Sequence, residues 1–368
     1  MNIPFGDLKR NYFQLKKEID QAVQRVLDSG WFILGRELLA FEGQFAGFLD
    51  VQHAVGVGSG TEALHLALLA CGVEPGDEVI TVPNTAVPTL SAITFANAKP
   101  VFVDIDPITY CMDANLIEER ISDKTKVILP VHLYGHPCDL DAISRIAEKY
   151  DLDIVEDCAQ SHGATFKGKL TGTFGRFGCF SFYPSKNLGA FGDAGIVVTN
   201  AQEDADAIKL LRNYGEKQRY YHQSKGFNSR LDEIQAAILS VKLAYLSRWN
   251  ERRREIADMY DEGISNPLIA KPQADHRAVH AFHLYVIRCP HRDHLREYLQ
   301  QNGVGTQIHY PIPCHLQQAY TDLNVEKGSY PVAERYAEEI LSLPMYPELS
   351  DEEIGYIIEK INQYRFDG

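Results

Sequence analysis

The sequence lacks the features of a secreted, membrane-bound or nucleic-acid-binding protein. Its 368 residues carry 36 Lys and Arg against 50 Asp and Glu, a net charge of −14 that repels nucleic acid and anionic membrane surfaces. No stretch approaches the roughly 20 apolar residues of a membrane span. The charged N-terminus has no apolar run suited to a signal peptide. These absences predict a cytoplasmic protein with neither nucleic acid nor a membrane as partner.

Cysteine is scarce, and the common nucleotide-binding loops are missing. The 7 cysteines include no CxxC pair and do not cluster with histidines at the spacing of metal ligands. This dispersed set predicts reduced thiols, and we expect no metal site. No glycine-rich loop is followed by GKS or GKT, and no GxGxxG occurs, which argues against a Walker loop and a dinucleotide-binding fold.

The chain does contain a long alternation of short apolar runs and amphipathic segments, between His53 and Asn200. The apolar runs are rich in Val and Ile, about five residues long, and separated by helical patterns. Such runs are typical of a mainly parallel sheet that is covered on both faces. The pattern predicts an α/β domain with about seven strands.

A change of character near Leu231 indicates where that domain ends. The segment DEIQAAILSVKLAYLSRWNERRREIADMYDEGI keeps a helical pattern for about thirty residues, which predicts one helix that bridges two domains. Beyond it, HLYVIRC predicts a strand, and HRDHLREYLQQNG, PVAERYAEEILSL and SDEEIGYIIEKINQY predict three helices. We therefore predict a large domain over residues 1–245, with an N-terminal helical segment, and a smaller α+β domain over residues 246–368.

The segment GSGTEALHLALLACG, residues 58–72, places a turn of small residues between a predicted strand and a predicted helix. Backbone N–H groups at the start of a helix can hold a phosphate, and the Thr61 hydroxyl adds a donor. A plain strand-to-helix turn explains the same residues. This segment alone leaves both interpretations open.

The segment IVEDCAQSHGA, residues 154–164, ends a predicted apolar strand with two carboxylates, Glu156 and Asp157. The carboxyl ends of parallel strands form the ligand crevice of an α/β sheet. A carboxylate there could keep a ring nitrogen of a ligand protonated. Asp157 could also be a helix cap or a surface charge. For His162 we expect a hydrogen-bonded core position.

The segment SFYPSKNLGAFGDAG, residues 181–195, ends a strand and presents a lysine. Ser181 and Tyr183 share one face of the predicted strand, and Pro184 ends it just before Lys186. Burial among Phe, Tyr and Gly would lower the pKa of the Lys186 amine and make it nucleophilic. A solvated surface position is the simpler interpretation of a lone lysine.

Together these three segments supply what pyridoxal phosphate needs. The cofactor requires an anion site, an acid beside its pyridine nitrogen and an amine for a Schiff base. No other common cofactor needs all three. The order of a phosphate turn, a strand-end Asp and a lysine after a strand therefore predicts a pyridoxal-phosphate enzyme.

With these motifs in this order, the chain resembles the pyridoxal-phosphate-dependent nucleotide-sugar aminotransferases of the DegT/DnrJ/EryC/StrS family. The resemblance covers nearly the whole chain and implies the fold-type I architecture of the aspartate aminotransferase superfamily. The matching segments are PFGDLKR, SGWFILG, SGTEAL, PVFVDID, EDCAQSHGA, SFYPSKNLGAFGDAG, LRNYG, GFNSRLDEIQAAIL and IHYPIPCHLQQAY.

The resemblance implies a role for each residue at the cofactor. Lys186 would form the Schiff base as an internal aldimine and move the proton during transamination, and Asp157 would pair with the pyridinium nitrogen. The other cofactor contacts implied are Gly60, Thr61 and Ser181 at the phosphate and Gln160 at the ring or its hydroxyl.

The resemblance also implies a shared site. Asn228, in GFNSRLDE, matches the position that reaches the phosphate from the neighbouring subunit, which implies an obligate homodimer. Tyr183, His309 and Tyr310 match positions that approach the sugar nucleotide.

The chain departs from the family pattern after the second strand, where many members carry an aromatic residue that stacks on the cofactor ring. Here the stretch is PNTAVPTLSAI, with Thr85, Ala86 and Val87. An aliphatic contact from Ala86 or Val87 is one substitute for the aromatic ring.

The resemblance implies a ping-pong reaction in which L-glutamate gives its amino group to the cofactor, which then aminates a keto-sugar. Lys186 favours transamination, because the dehydratase branch of the family has histidine at this position. LGAFGDAG, GFNSRLDE and HLYGHPCDL are similar to the branch that acts on dTDP-linked 3-oxo-6-deoxyhexoses. We therefore predict a dTDP-3-amino-3,6-dideoxyhexose as the product.

Three alternatives stay open at this point. A 4-ketosugar nucleotide aminotransferase of the same family is the nearest. A non-catalytic regulatory protein that binds pyridoxal phosphate belongs to a different class of function. A nicotinamide dehydrogenase is the third, and the missing GxGxxG and the presence of Lys186 argue against it.

Overall fold

Strands form where Val and Ile recur, and helices form where apolar residues recur every three or four positions. The structure is a computed structural model that describes residues 1–366. The helices are α1 (Leu8–Ser29), α2 (Arg36–Leu49), α3 (Gly60–Ala70), α4 (Val87–Phe95), α5 (Leu140–Tyr150), α6 (Gln202–Arg212), α7 (Glu233–Leu243), α8 (Leu246–Gly263), α9 (Arg292–Gln301), α10 (Pro331–Glu339) and α11 (Asp351–Gln363). The strands are β1 (His53–Val57), β2 (Glu78–Thr81), β3 (Lys99–Phe102), β4 (Thr125–Ile128), β5 (Asp153–Asp157), β6 (Thr165–Phe166), β7 (Lys169–Leu170), β8 (Phe177–Ser181), β9 (Gly195–Thr199), β10 (Glu216–Gln218), β11 (Tyr221–His222), β12 (Ala278–Val279), β13 (Tyr285–Arg288) and β14 (Ile340–Leu343).

A seven-stranded sheet in the order β1-β9-β8-β5-β4-β2-β3 forms the centre of the fold. Only β9 runs against its neighbours, and the pairs β8–β5, β5–β4, β4–β2 and β2–β3 are parallel. The strands are almost wholly buried, because helices cover both faces of a sheet of this type. The predicted α/β class with about seven mainly parallel strands is confirmed.

Three strand ends meet at one edge of this sheet. Strand β1 ends at Val57, β5 ends at Asp157 and β8 ends at Ser181. Because β1, β5 and β8 run in the same direction, their carboxyl ends lie at the same edge. The crevice expected at the carboxyl ends of a parallel sheet is therefore built from segments that are spread over more than 120 residues of the chain, from Val57 to Ser181.

The C-terminal part of the chain has a hydrophobic core of its own. Strands β13 and β14 pair antiparallel, and apolar side chains of α8, α9 and α11 pack against them. Ile3, from the start of the chain, also lies in this core. A separate core agrees with a second domain, and its boundary after residue 245 stays a prediction.

Two of the sequence predictions in this region are wrong. The bridging helix is interrupted at Ala244 and Tyr245, so that α7 and α8 are separate helices. The segment PVAERYAEEILSL is helical only to Glu339, and its last four residues form β14. All four are buried and pair with β13, so a tertiary contact overrides the helical periodicity.

None of the helices within residues 1–366 is both long and apolar enough to span a bilayer.

Candidate active site

A cavity of about 340 Å³ at the carboxyl ends of the strands brings the three sequence motifs together. The turn after β1, the end of β5 and the loop after β8 each contribute to its wall. The predicted site residues that line it are Gly60, Thr61, Asp157, Gln160, Ser181, Tyr183 and Lys186.

One wall of the cavity is the first turn of α3. Ser59 caps this helix, because its hydroxyl accepts the Glu62 N–H at 3.2 Å. The N–H groups of a first helical turn have no carbonyl partner within the helix, and they carry the positive end of its dipole. A Cβ on Gly60 would lie 2.5 Å from the Ser181 Cβ, so only glycine lets β8 approach this turn. The geometry fits a phosphate group.

Asp157 lies buried at the end of β5, deep in the same cavity. Its two carboxylate oxygens accept the Ala159 N–H at 3.1 Å and the Thr89 hydroxyl at 2.9 Å. Burial raises the pKa of Asp157, although these two donors oppose the shift. No ion pair reaches Asp157 within residues 1–366. A buried carboxylate without a cation suits a ligand that brings a positive charge, such as a pyridinium nitrogen.

The loop after β8 presents Lys186. Its backbone N–H donates to the Tyr183 carbonyl at 2.8 Å, which closes a turn at the end of the strand. Across the described residues 1–366, the Lys186 Nζ makes neither a hydrogen bond nor an ion pair. Burial lowers the pKa of Lys186 to about 8, and the charge of Asp157 opposes this shift. The amine is thus available to react, and the surface alternative for Lys186 is not what the structure shows.

Gln160 links the cavity to the C-terminal part of the chain. Its Oε1 accepts the Tyr134 N–H at 2.6 Å, and its Nε2 donates to the Tyr310 hydroxyl at 3.1 Å. The Tyr134 hydroxyl in turn donates to the His309 carbonyl. His309 and Tyr310 therefore lie beside the site, as the sequence analysis expects for substrate contacts.

A second cavity, of about 440 Å³, meets the first at Lys186 and Tyr183. His309 lines this second cavity. Tyr183 is 55% exposed, so its ring can reach a ligand that enters from solvent. Two cavities that share the reactive lysine suit a cofactor on one side and a substrate on the other. The substrate roles of Tyr183, His309 and Tyr310 stay predictions.

Asn228 lies outside both cavities of its own chain. It is exposed, and it forms an isolated bridge with Asn213. This position agrees with a residue that serves a neighbouring subunit, and that role stays a prediction.

Two threonine hydroxyls that are linked to the Asp157 carboxylate by hydrogen bonds were not identified from the sequence. Thr85 precedes α4 and Thr89 lies in its first turn, and their hydroxyls are 2.8 Å from each other. Both also line the cofactor cavity, together with Ala86. Val87 is 38% exposed and does not line it, so Ala86 is the better placed of the two expected aliphatic contacts. The spacing of two threonines in PNTAVPTL was the available signal.

His162 is a core residue, as expected, but it is not hydrogen-bonded through its ring. Both ring nitrogens are buried without a partner within residues 1–366. Its ring lies 5.4 Å from that of Phe180 and 5.7 Å from that of Phe182. Burial, and then the charge of Lys186, lower the pKa of His162 to about 3, so the ring is neutral.

Comparison with known proteins gives a consistent result. The model of the DegT/DnrJ/EryC1/StrS aminotransferase family matches residues 14–362. The erythromycin biosynthesis sensory transduction protein EryC1 of Saccharopolyspora erythraea is 49% identical over 359 residues, which are 97% of this chain and 98% of that protein. The dTDP-3-amino-3,6-dideoxy-alpha-D-galactopyranose transaminase of Aneurinibacillus thermoaerophilus is 46% identical over 364 residues, 99% of this chain and 100% of that one.

Solved structures agree in fold. The crystal structure of S. venezuelae DesV in complex with a ketimine intermediate has a TM-score of 0.98 at 44% identity and covers 100% of both chains. The PLP-form of the putative sugar aminotransferase Spr1654 from Streptococcus pneumoniae has a TM-score of 0.89 at 30% identity and covers 94% of this chain and 95% of that one.

We expect Gly60→Ala to weaken binding of pyridoxal phosphate by about tenfold or more, the equivalent of one lost hydrogen bond at the phosphate. The new methyl group would push the first turn of α3 away from Ser181. Gly43→Ala is the control, because a Cβ there meets nothing within 4 Å. Titration of the cofactor-free variants with pyridoxal phosphate measures both affinities. Equal affinities for the two variants would contradict this assignment.

We expect Asp157→Asn to raise the melting temperature of the cofactor-free protein while it weakens the cofactor complex. Because the folded-state pKa of Asp157 is raised, the ionised carboxylate destabilises the fold increasingly as pH rises above its unfolded value. The amide keeps its two contacts, since the Thr89 hydroxyl can turn to accept. Melting curves from pH 4 to 7 should show a gap between variant and parent that widens with pH. A constant or reversed gap would mean that folding does not raise the pKa of Asp157.

Proposed function

The chain belongs to the DegT/DnrJ/EryC1/StrS aminotransferase family, and we propose that it transfers an amino group from L-glutamate to a dTDP-linked 3-oxo-6-deoxyhexose. The product would be a dTDP-3-amino-3,6-dideoxyhexose. The protein is a sugar-nucleotide aminotransferase of fold-type I, and its cofactor is pyridoxal phosphate. One observation carries the proposal: the start of helix α3, a buried carboxylate without a cation and a lysine of lowered pKa line one cavity.

Each of these residues has a distinct task. When bound, pyridoxal phosphate supplies the electron sink and carries the nitrogen between the two substrates. The Lys186 Nζ would take the proton from the α-carbon of glutamate, and it would later deliver a proton to the sugar carbon that receives the nitrogen. Its pKa of about 8 leaves a usable fraction of neutral amine near pH 7. The Asp157 carboxylate, fixed by Ala159 and Thr89, would hold a positive charge opposite it.

The position of the ketone rests on two supports. The segments LGAFGDAG, GFNSRLDE and HLYGHPCDL resemble the branch that acts on 3-oxo sugars. The relative from Aneurinibacillus thermoaerophilus is a transaminase of a dTDP-3-amino-3,6-dideoxy sugar by name. Together they favour the 3-oxo substrate over the 4-oxo substrate.

A regulatory role is supported by the names of two relatives, the sensory transduction protein of Saccharopolyspora erythraea and a pleiotropic regulatory protein of Geobacillus stearothermophilus. The geometry favours an enzyme, because the partly buried Lys186 amine lines both cavities without a hydrogen-bond partner in residues 1–366, and its pKa is lowered. A lysine with a purely structural role would be expected to form a hydrogen bond or an ion pair instead.

We also propose that the active sites are shared between two subunits. Asn228 follows the exposed Phe227, which is 41% accessible. The nearby hairpin of β10 and β11 presents Tyr220 and Tyr221, which are 78% and 71% exposed. Exposed aromatic side chains in one region favour a protein interface. A second copy that covers this region would bring its own Asn228 towards the phosphate site.

Incubation of the purified enzyme with L-glutamate and matched dTDP-3-oxo and dTDP-4-oxo-6-deoxyhexoses tests the substrate. We expect the amino sugar and 2-oxoglutarate in equal amounts from the 3-oxo sugar, detected by mass spectrometry. Lys186→Ala is the control and should be slower by about 10²- to 10⁴-fold, as for the loss of a general acid–base. Preference for the 4-oxo sugar would overturn the ketone assignment. Binding of the cofactor with no turnover of either sugar would favour the regulatory role.

Mixing two inactive variants tests the shared site. If Asn228 serves the neighbouring subunit, a dimer of Lys186→Ala with Asn228→Ala contains one intact site. After subunit exchange at equal amounts, half of the dimers are mixed, so about one quarter of the parental activity should return. If Asn228 acts within its own chain, the mixture gains nothing over the separate variants.

A further inference from the structure

A chain of hydrogen bonds through three buried side chains begins next to Lys186 in the sequence. The Asn250 Nδ2 donates to the His162 carbonyl at 2.7 Å. The Asn187 Nδ2 donates to the Asn250 Oδ1 and to the Ala281 carbonyl, both at 2.9 Å. The Nδ1 of His283 lies 3.2 Å from the Asn187 Oδ1. Neither the family roles nor the motifs account for His283.

This chain determines which nitrogen of His283 carries the proton. A backbone carbonyl only accepts, so the amide nitrogens of Asn250 and Asn187 must face the His162 and Ala281 carbonyls. Both hydrogens of the Asn187 amide are then in use, and its Oδ1 is an acceptor. The Nδ1 of His283 must therefore be the donor. In the neutral ring the lone pair is then on Nε2.

The neutral form of His283 is the one that the surroundings favour. Burial lowers the pKa of His283 well below its usual value. The nearby charges of Lys186 and Arg253 lower it further. His283 thus offers a hydrogen-bond acceptor across the physiological pH range.

The backbone around His283 is held in place. The Arg253 Nη1 donates to the carbonyls of Phe282 at 3.1 Å and of His283 at 3.3 Å. The Leu284 N–H donates to the Tyr134 carbonyl at 3.2 Å. A Cβ on Gly135 would lie only 3.0 Å from the His283 backbone nitrogen, so the two segments are in close contact. The ring orientation is therefore fixed from both the backbone and the side chain.

His283 and Lys186 line the same second cavity. Within residues 1–366 the His283 Nε2 makes no hydrogen bond, and neither does the Lys186 Nζ. One cavity thus contains a fixed acceptor and an amine with N–H groups to donate. The imidazole nitrogen and the amine can therefore serve each other as hydrogen-bond acceptor and donor.

We propose that, once the substrate has displaced the Lys186 amine from the bound cofactor, the His283 Nε2 accepts a hydrogen bond from that amine and so positions it for proton transfer. The inference rests on the proposed role of Lys186 at the cofactor. His283 takes up no proton and acts only through the Lys186 amine, so it is a positioning residue. The Asp157 carboxylate also acts on Lys186, and the charge of Lys186 in turn lowers the pKa of the nearby rings of His162 and His309.

Two substitutions separate this role from a structural one. In His283→Asn the amide nitrogen can replace Nδ1 and keep the bond to Asn187, but nothing replaces Nε2. In His283→Gln the amide oxygen can replace the Nε2 acceptor, but the bond to Asn187 is lost. A structural role predicts greater damage in His283→Gln, and the proposed role predicts greater damage in His283→Asn.

The first measurement is the titration of Lys186 in the pyridoxamine-phosphate form of the full chain, in which the bound cofactor leaves the lysine amine free. Competitive labelling with acetic anhydride, read by mass spectrometry on the peptide that contains Lys186, gives the pKa of its amine. An acceptor stabilises the charged ammonium, so His283→Asn should lower the midpoint by about one pH unit. His283→Gln should stay within about 0.3 units of the parent. His276→Asn, at a side chain that is 93% exposed, should change nothing.

The second measurement is the half-reaction of the holoenzyme with L-glutamate. We expect His283→Asn to lower the rate constant about tenfold, the equivalent of one hydrogen bond, with KM changed by less than about twofold. His283→Gln should keep most of the rate. Normal behaviour of His283→Asn in both measurements, or equal losses in both variants, would overturn the inference. Failure of the parent itself to react with glutamate would instead count against the proposed function.

Discussion

A carboxylate and an amine are buried beside the same cavity without forming an ion pair with each other, and this constraint shapes the rest of the site. Pairing Asp157 with Lys186 would satisfy both charges and leave neither for chemistry. The structure instead gives Asp157 two neutral donors, and it leaves the Lys186 Nζ without any hydrogen bond from residues 1–366. The pKa of each group shifts towards its neutral form as a result. Such opposed shifts are typical of catalytic groups.

The neighbouring carboxylate, Glu156, shows how local geometry decides whether the pKa of a buried acid is raised or lowered. Successive residues of a strand point to opposite faces, so Glu156 and Asp157 enter different surroundings. Glu156 accepts from the backbone N–H groups of Gly172, Phe174 and Gly175 and contacts the His132 ring at 3.0 Å. Burial acts against it, but these contacts lower the pKa of Glu156. Of these two adjacent acids, Glu156 thus holds the loop of residues 172–175 in place, and Asp157 faces the cavity.

Similarity to relatives and the geometry of the site answer different questions. An identity of 46% over almost the whole chain places the protein in its family, and the family indicates that the cofactor is pyridoxal phosphate. It says less about the sugar, because the second cavity, which we propose for the substrate, is walled by segments from the N-terminus, from the loop around Lys186 and from the C-terminal part of the chain. The predicted cofactor residues Asp157 and Ser181 lie at strand ends, inside the central sheet. The predicted substrate residues, such as His309, lie on loops, which vary more between relatives than the strands do.

The sequence by itself determined the order of the strands and helices over most of the chain, and it singled out Lys186, Asp157 and the turn at Gly60. Those predictions depend on local patterns, because periodicity reports which face of an element is buried, and a strand end or helix start is marked by neighbouring residues. The tertiary structure alone decided that residues 340–343 form a strand, that Thr89 supports Asp157, and that His283 shares a cavity with a lysine 97 positions before it. These are contacts between distant segments, and they depend on how the chain crosses the sheet, which no local pattern records.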